Sequence, residues 1–524
     1  MTAIELANIV ERQRTEAAIR PREERAQLGQ FLTPLEVAQQ VAALFQPLQS
    51  RLRVRVLDPG AGIGSLTVAF VNWLVQQKYR PESVEIVAVE LDDGLIPLLT
   101  ETLKSCETLA SDVGLPLQAH VIHADFLKLC NDESDLFTSK NILKEFTHAI
   151  LNPPYRKISS DSIERELLSK RGIEVSNIYA GFVALTTMLL GEGGELSAIT
   201  PRSFCNGTYF KDFRQKFFSS MALQSAHVFV SRQKAFSQDS VLQENVIFAA
   251  RKTKTRPGFV SVRTSNGLES GQTENLAPYS TVLAPHDREM VIHLPADEVG
   301  MHAMEFVTGL PAGLKQLGLS VSTGPVVDFR AREFLLKELN DRSVPLLYPT
   351  HFSHQGIEWP KPGRKPNAIV VAPETAWSLV HTGNYVLVKR FTSKEEKKRI
   401  VARVLESDRF PKCMLVGLEN HLNYFHCTGN GLDSDCAFGL ATFLNSTIVD
   451  VYFRQFNGHT QVNAGDLRMM RYPSSETLRQ LGVALQEGRA LLYDQERIDK
   501  LVVEIVGFSR YSKDFTRKCF AGSD

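Results

Sequence analysis

The sequence predicts an α/β protein whose sheet is mostly parallel. Apolar runs that indicate strands alternate with helical patterns through the first half of the chain. A glycine-rich turn joins the first strand to the first helix, and polar side chains follow the ends of four strands. Alternation of strands and helices is typical of parallel sheets covered by helices, and such sheets bind ligands at the carboxyl ends of their strands. We therefore expect a ligand site at that edge of the sheet.

The first strand, predicted at 54–58, ends at Asp58 and leads into a turn that contains Gly60, Ala61 and Gly62. A helical pattern follows at 66–77. The spacing differs from the dinucleotide-binding fingerprint, because Ser65 stands where a third glycine would allow the helix to pack closely on the strand. The turn is either a ligand-binding loop or an ordinary tight turn that Asp58 caps.

The second and third strands, predicted at 84–89 and 120–123, also end in polar groups. Glu90 follows the second strand, where a carboxylate can accept both hydroxyls of a ribose. Asp125 and Phe126 follow the third, and together they offer an acceptor and an aromatic face to an adenine ring. Glu90 can equally be a solvated carboxylate, and Asp125 can be the N-cap of a helix that begins near Phe126.

The fourth strand, predicted at 148–151, runs into Asn152, Pro153, Pro154 and Tyr155. The two prolines fix φ and hold the preceding residues extended, so the carbonyls point in set directions. The Asn152 amide oxygen and the Pro153 carbonyl can accept from one exocyclic NH2 group, while the Tyr155 ring covers a planar base. This turn is the predicted catalytic centre, and the alternative is a simple strand terminator.

Further elements extend the pattern, with helices predicted at 179–190 and 209–218, a strand at 195–200, and a closing pair of strands at 227–230 and 245–250. The chain has 524 residues, of which 43% are hydrophobic, enough for more than one core. Seven cysteines without a Cys-x-x-Cys pair argue against a zinc or disulfide framework and favour a cytoplasmic protein. No run is long enough to span a bilayer, so we expect no membrane partner, and we expect no bound metal.

Several of these motifs, taken in order, resemble those of S-adenosylmethionine-dependent adenine-N6 DNA methyltransferases of the gamma arrangement. In that family the cofactor motifs precede the catalytic turn, and the target-recognition domain lies at the C-terminus. The likeness continues through 201–204 and 231–236, with Asp239 and 241–247 after them, and this last stretch resembles the PstI and BsuBI branch of type II modification enzymes. The motifs that carry the resemblance are 29–34, 58–64, Glu90, Asp125 with Phe126, and 152–155.

The resemblance implies a Rossmann-like class I methyltransferase domain that binds S-adenosyl-L-methionine. The resemblance implies that Thr33 contacts the methionine end of the cofactor. It implies that Asp58 and the backbone of Gly60, Ala61 and Gly62 contact the amino-acid and ribose region. Glu90 would then bind the ribose hydroxyls, and Asp125 with Phe126 would bind the adenine. A target adenine would be extruded from the duplex and held between Tyr155 and Phe236.

The resemblance also implies a division of the chain and a set of partners. We expect an N-terminal helical extension at 1–28, the S-adenosylmethionine-binding catalytic domain at 29–255, a linker or crossing segment at 256–300, and an α+β target-recognition domain with a C-terminal helical segment at 301–524. The implied partner is double-stranded DNA, with a cognate restriction endonuclease that acts independently. The alternatives are an RNA or protein-glutamine N-methyltransferase that uses the same turn, and a DNA-binding module without catalysis.

Basic and aromatic side chains alternate in the C-terminal half. The net charge of the whole chain is +0, so any affinity for nucleic acid has to come from a locally basic face. Basic loops with interleaved aromatic side chains suit phosphate contacts combined with base contacts. The predicted DNA-binding residues are Arg364, Lys365, Lys389 and Arg390. The alternative for the charges at 394–403 is a solvated helix.

Overall fold

The computed structural model describes residues 1–17, 32–50, 53–132, 143, 145–229, 244–265, 273–392, 396–458, 460–487 and 492–507. The chain divides into two compact units, Met1–Ala296 and Asp297–Asp524. Each unit is described by itself below.

The first unit is built on a nine-stranded sheet with the order β3-β2-β1-β4-β5-β7-β6-β8-β9. Its first five strands run parallel, β7 is antiparallel to both neighbours, and β9 is antiparallel to β8. The mostly parallel α/β prediction is confirmed. The strands are β1 Arg53–Pro59, β2 Ser83–Glu90, β3 Leu117–His123, β4 Phe146–Leu151, β5 Leu190–Pro201, β6 Met221–Phe229, β7 Asn245–Lys252, β8 Phe259–Ser265 and β9 Thr273–Pro278.

Helices cover this sheet and bury its apolar side chains. The helix Ser65–Val75 is buried along almost its whole length, because it packs on the sheet and on its neighbour Leu35–Ala42. The helix Ala3–Ala17 buries Leu6 and Val10 in the same core. The other helices of this unit are Ile96–Asp112, Phe126–Leu129, Ile163–Lys170, Ile178–Leu189, Lys211–Ser220 and Tyr279–Val282, with 3-10 turns at Arg202–Cys205 and Thr208–Phe210.

The sheet continues beyond the pair of strands that we expected to close it. The segment 256–300, expected as a linker, contains β8 and β9, and this expectation is wrong for those residues. Val260 and Val262 are fully buried, and their polar neighbours give the strand an alternating pattern. A Thr- and Ser-rich composition suits a strand as well as a loop, and β8 forms a strand because it pairs with β6 on one side and with β9 on the other.

The second unit contains three small sheets and a group of helices. The sheets have the orders β10-β20-β17-β18, β11-β15-β12-β19-β16 and β13-β14. The strands are β10 Ser320–Thr323, β11 Leu335–Leu336, β12 Ser343–Leu347, β13 Phe352–Ser353, β14 Gly356–Ile357, β15 Ala368–Val370, β16 Leu379–His381, β17 Tyr385–Lys389, β18 Ala402–Leu405, β19 Leu415–Leu418 and β20 Leu422–His426. The helices are Glu298–Thr308, Pro373–Ala376, Ser434–Asn445, Thr447–Phe456, Ala464–Met469, Ser475–Gln486 and Gln495–Val506, with 3-10 turns at Arg332–Phe334, Pro349–His351 and Ser407–Arg409.

Two glycines allow the helices Ser434–Asn445 and Ser475–Gln486 to approach closely. A Cβ atom at Gly439 would lie 1.7 Å from the carbonyl oxygen of Leu478, and one at Gly482 would lie 1.8 Å from that of Asp435. No other residue fits at either position without moving the partner helix.

Within the described residues, no single helix is long and apolar enough to cross a membrane. The helices Ser434–Asn445 and Thr447–Phe456, which are bent by 60° at the break between them, reach that length and composition only as a pair.

Candidate active site

The carboxyl ends of β1, β2 and β4 meet at one edge of the first sheet, because these strands are parallel neighbours. A cavity of about 110 Å³ opens there. Seven of the predicted site residues line it: Gly60, Gly62, Glu90, Asp125, Phe126, Asn152 and Pro154. Five others do not line it: Thr33, Asp58, Ala61, Pro153 and Tyr155.

The glycine turn is fixed to β2 by its own backbone. The N–H groups of Gly60 and Ala61 both donate to the carbonyl oxygen of Val89, at 2.8 and 3.0 Å. Gly60 and Gly62 have φ of 78° and 58°, a region that disfavours residues with a Cβ atom. The turn therefore presents a bare backbone to the cavity.

Glu90 is held by three backbone N–H groups. Its Oε2 accepts from Gly62 at 2.7 Å, and its Oε1 accepts from Leu91 and Asp92, each at 2.9 Å. Oε1 already accepts two hydrogen bonds, whereas Oε2 accepts one and keeps a second lone pair for a ligand. Glu90 is 6% exposed and lines the cavity, so its orientation is set before any ribose arrives.

Asp58 is completely buried. Its Oδ2 accepts from the Thr67 hydroxyl at 2.6 Å, whereas its Oδ1 has no partner among the described residues. Burial raises the pKa of Asp58 to about 7, the charge of Glu90 raises it as well, and the Thr67 bond lowers it. A buried carboxylate with one unsatisfied oxygen suits a cationic donor such as the ammonium group of S-adenosylmethionine. These residues fit that cofactor.

Asp125 has two roles in the structure. It is the N-cap of the helix Phe126–Leu129, where its Oδ1 accepts from Leu127 N and Lys128 N at 2.9 and 3.3 Å. The capping interpretation is confirmed, and the residue also lines the cavity. Phe126 packs against Phe182 with ring centroids 5.1 Å apart. Sequence reasoning missed Phe182, because no local signal separates a cavity-lining side chain from a core one in an apolar helix. It also missed Thr67, whose hydroxyl contacts Asp58 and not the cavity.

Two hydroxyl groups hold the Asn152 carboxamide. Asn152 Nδ2 donates to Thr33 Oγ1 at 2.9 Å, and the Tyr155 hydroxyl donates to Asn152 Oδ1 at 2.7 Å. Tyr155 also lies within donating distance, 3.2 Å, of the carbonyl oxygen of Ile199 on β5. Burial raises the pKa of Tyr155 far above its ordinary range, so the phenol stays protonated.

Part of the predicted site lies outside the described residues. Phe236, the second expected base-stacking residue, is one of these, as are 29–31 of the first motif. The described Glu244 follows the segment that contains Phe236. It forms a buried ion pair with Arg202 at 2.6 Å, a contact that sequence reasoning missed.

The four predicted DNA-binding residues have different partners. Lys365 pairs with Asp328 at 2.8 Å, and Arg390 donates to the Asn420 carbonyl oxygen and to Gln461 Oε1. Lys389 instead lies over the Phe352 ring, 5.9 Å from its centroid. Arg364 is exposed.

Among the described residues, no group of three or more His, Cys, Asp or Glu side chains is placed to hold a metal ion. Both ring nitrogens of His351 lie in hydrogen bonds, to the Tyr348 N–H and to Asn367 Oδ1.

Comparisons with known proteins identify relatives of this chain. Residues 106–236 match the family model of the Eco57I restriction-modification methylase. The chain is 40% identical to the type II methyltransferase M.PstI of Providencia stuartii, over 91% of this chain and 92% of that protein. It is 43% identical to the type II methyltransferase M.BsuBI of Bacillus subtilis, over 87% and 90%.

A solved structure shares the fold. The type IIL restriction-modification enzyme MmeI, in complex with DNA, superposes with a TM-score of 0.58 at 12% identity, covering 99% of this chain and 75% of that one. The family assignment rests on the 40% and 43% identity to M.PstI and M.BsuBI, which extends over nearly the whole length of the chains. This protein belongs to the type II methyltransferases of restriction-modification systems, in the PstI and BsuBI branch.

Proposed function

We propose that this protein transfers a methyl group from S-adenosylmethionine to the N6 amino group of adenine within a short sequence of duplex DNA. The observation that carries the proposal is the Asn152 carboxamide, which two hydroxyl groups hold in place at the edge of a cavity that also contains Glu90. The family membership supports methyl transfer, and the site supports an amino nitrogen as the acceptor.

The predicted site residues divide by the part of the cofactor that each would hold. Asp58 would take the ammonium group, Glu90 the ribose hydroxyls, and Asp125 with Phe126 the adenine. The cofactor, when bound, supplies an electrophilic methyl group on a sulfonium. Thr33 was expected at the methionine end of the cofactor, and this role stays a prediction. In the structure its hydroxyl accepts a hydrogen bond from Asn152.

The catalytic turn would act by position and electrostatics. Adenine N6 is a poor nucleophile because its lone pair is delocalised into the ring. Acceptors at Asn152 Oδ1 and the Pro153 carbonyl would bind the two amino hydrogens and favour a tetrahedral nitrogen. The ring of Tyr155 would cover the extruded base, together with the predicted Phe236.

The Tyr155 hydroxyl can exchange its hydrogen bond to the Asn152 oxygen for one to a backbone carbonyl oxygen. Its single proton can point to Asn152 Oδ1 at 2.7 Å or to the Ile199 carbonyl oxygen at 3.2 Å. Rotation about the C–O bond exchanges the two partners without moving a heavy atom. Rotation would direct the phenol proton away from the Asn152 oxygen as the amino group arrives, while the phenol keeps a hydrogen bond to Ile199.

The experiment is a methylation assay with labelled S-adenosylmethionine and plasmid DNA, followed by digestion to nucleosides and mass spectrometry. We expect N6-methyladenine. Parallel reactions with structured RNA and with glutamine-containing peptides test the two alternatives that share the turn, and calorimetry tests for S-adenosylmethionine binding against NAD. Label in RNA or peptide without label in DNA would contradict the proposal. The cytoplasmic location and a separate cognate endonuclease remain predictions.

A further inference from the structure

Four backbone segments of the second unit meet at one place. Val326, in the loop after β10, forms a bridge with Glu419, and its carbonyl oxygen accepts from Asn420 N at 2.9 Å. Arg390 N donates to the carbonyl oxygen of His421 at 2.9 Å, which ties the end of β17 to the same turn. A bridge between Phe391 and Gln461 adds the fourth segment. Because backbone bonds join the segments, their side chains hold fixed relative positions.

The side chains here combine exposed rings with guanidinium groups. Phe329 is 73% exposed and Phe391 is 43% exposed. Arg330 lies over the first ring and Arg390 over the second, each 5.6 Å from the centroid. Aromatic rings and guanidinium planes side by side are typical of surfaces that contact nucleic-acid bases. We call the set Phe329, Arg390, Phe391, His421 and Gln461 the recognition face.

A buried carboxylate orients His421. Its Nδ1 lies 2.5 Å from Oε1 of Glu419, which is completely buried, and its backbone N–H donates to Oε2 of Glu419 at 3.0 Å. The imidazole packs on Phe391 with centroids 4.8 Å apart, and the side chain is 44% exposed. The bond through Nδ1 leaves Nε2 on the opposite side of the ring, without a partner among the described residues. The fold thus holds one histidine nitrogen in a fixed direction.

Unsatisfied polar atoms collect at the same place. The Tyr348 hydroxyl, Arg390 Nε and Asn420 Oδ1 are buried and have no hydrogen-bond partner among the described residues. Tyr348 belongs to this cluster because Lys365 lies over its ring, and Lys365 pairs with Asp328 next to Phe329. Buried polar groups are rarely left unpaired, so donors and acceptors together indicate a polar ligand.

The charge balance favours base edges over phosphates. Three cations lie here, on Arg330, Lys365 and Arg390. There are two carboxylates: Asp328 pairs with Lys365, and Glu419 pairs with His421. A surface that binds phosphates would carry a larger positive excess. A mixture of fixed donors and acceptors matches the edges of base pairs in a groove.

We propose that the recognition face reads base edges of duplex DNA, with His421 Nε2 and the Gln461 amide as hydrogen-bonding groups and Phe329 and Phe391 as apolar contacts to bases. Gln461 is suited to this because Arg390 already binds its Oε1, at 3.3 Å, and so fixes the direction of the amide. This proposal rests on the proposed function and adds the side chains that select the sequence.

The experiment uses the full chain. DNA from cells that express it is sequenced for N6-methyladenine to define the methylated sequence. Purified wild type and the variants His421→Ala, Gln461→Ala, Phe391→Ala and Phe329→Ala are then compared on that duplex and on duplexes with one altered base pair. Matched controls are His354→Ala, an exposed histidine on the β13–β14 hairpin, and Phe259→Ala, a 59% exposed ring at the amino end of β8.

We expect His421→Ala and Gln461→Ala to lower kcat/KM on the methylated sequence by about ten- to a hundredfold. We also expect the ratio of kcat/KM between that sequence and at least one altered duplex to become smaller than in wild type. The dependence of binding on salt should stay as in wild type, because no phosphate contact is lost. Phe329→Ala, which removes an exposed ring and leaves the core intact, should weaken duplex binding at least about fivefold. Both controls should match wild type.

Two results would overturn the proposal, and they are distinguishable. If wild type methylates DNA but the face variants keep its sequence choice and stay within about twofold of its kcat/KM, the face has another use, such as a protein contact. If wild type methylates no DNA, the proposed function fails and this proposal fails with it. Thermal unfolding followed by circular dichroism shows whether each variant is folded, and the two phenylalanine variants decide the matter if His421→Ala does not fold.

Discussion

Replacing Thr33 by valine separates two roles that this residue can have. Thr33 is 6% exposed, and its hydroxyl accepts from Asn152 Nδ2 at 2.9 Å. Valine keeps the shape and removes the acceptor. Loss of one hydrogen bond of this kind costs about 0.5–1.5 kcal/mol, which corresponds to about a two- to thirteenfold change in rate. If the bond orients the Asn152 amide for the amino group, we expect kcat to fall within that range while the affinity for S-adenosylmethionine stays within about threefold.

The measurement pairs single-turnover methylation with calorimetric titration of the cofactor. Thr33→Ser is the matched control, because it restores the hydroxyl, and it should return kcat to within about threefold of wild type. If Thr33 serves the methionine end of the cofactor instead, Thr33→Val should lose cofactor affinity and keep kcat at saturation. An unchanged kcat in Thr33→Val would refute the positioning role.

The remaining predictions concern the catalytic turn, the buried carboxylate and the limits of the first unit. Asn152→Ala should cut methyl transfer by about a hundredfold with cofactor affinity nearly intact, whereas Tyr155→Phe should cost only about two- to tenfold, since the ring remains; equal losses in a rate assay would contradict this order. The pKa of Asp58, raised from 3.8 to about 7, means that the cofactor-free protein should lose stability as pH rises through that window, and that S-adenosylmethionine should bind more tightly as pH rises to 7. Asp58→Asn should flatten both pH profiles, and calorimetry that shows them unchanged would rule out this carboxylate as their source. A chain cut after Ala296 should still bind S-adenosylmethionine, whereas one cut after Lys252 should not fold, because it lacks the β8 strand that pairs with β6; a folded shorter fragment, detected by circular dichroism, would show that β8 is dispensable.

Local features of the sequence are enough to place most of the catalytic unit. The predicted strand at 84–89 corresponds to β2 Ser83–Glu90, and the predicted helix at 179–190 corresponds to Ile178–Leu189. These elements can be predicted because the periodicity of apolar residues, and the backbone conformations that glycine and proline favour, depend on residues close together in the chain. The linker prediction was wrong at β8 and β9, because a Thr- and Ser-rich composition is compatible with a strand as well as with a loop.

The sequence by itself determined where the first strands lie along the chain, the polar groups that follow four of them, and the resemblance to a methyltransferase family. Only the tertiary structure showed that Asn152 binds Thr33, 119 residues away, or that Tyr155 covers its oxygen. It also decided that Glu419 is buried and so orients His421, although the two residues are close in the chain. Hydrogen-bond partners and burial depend on which surfaces pack together, and that information is distributed over the whole chain.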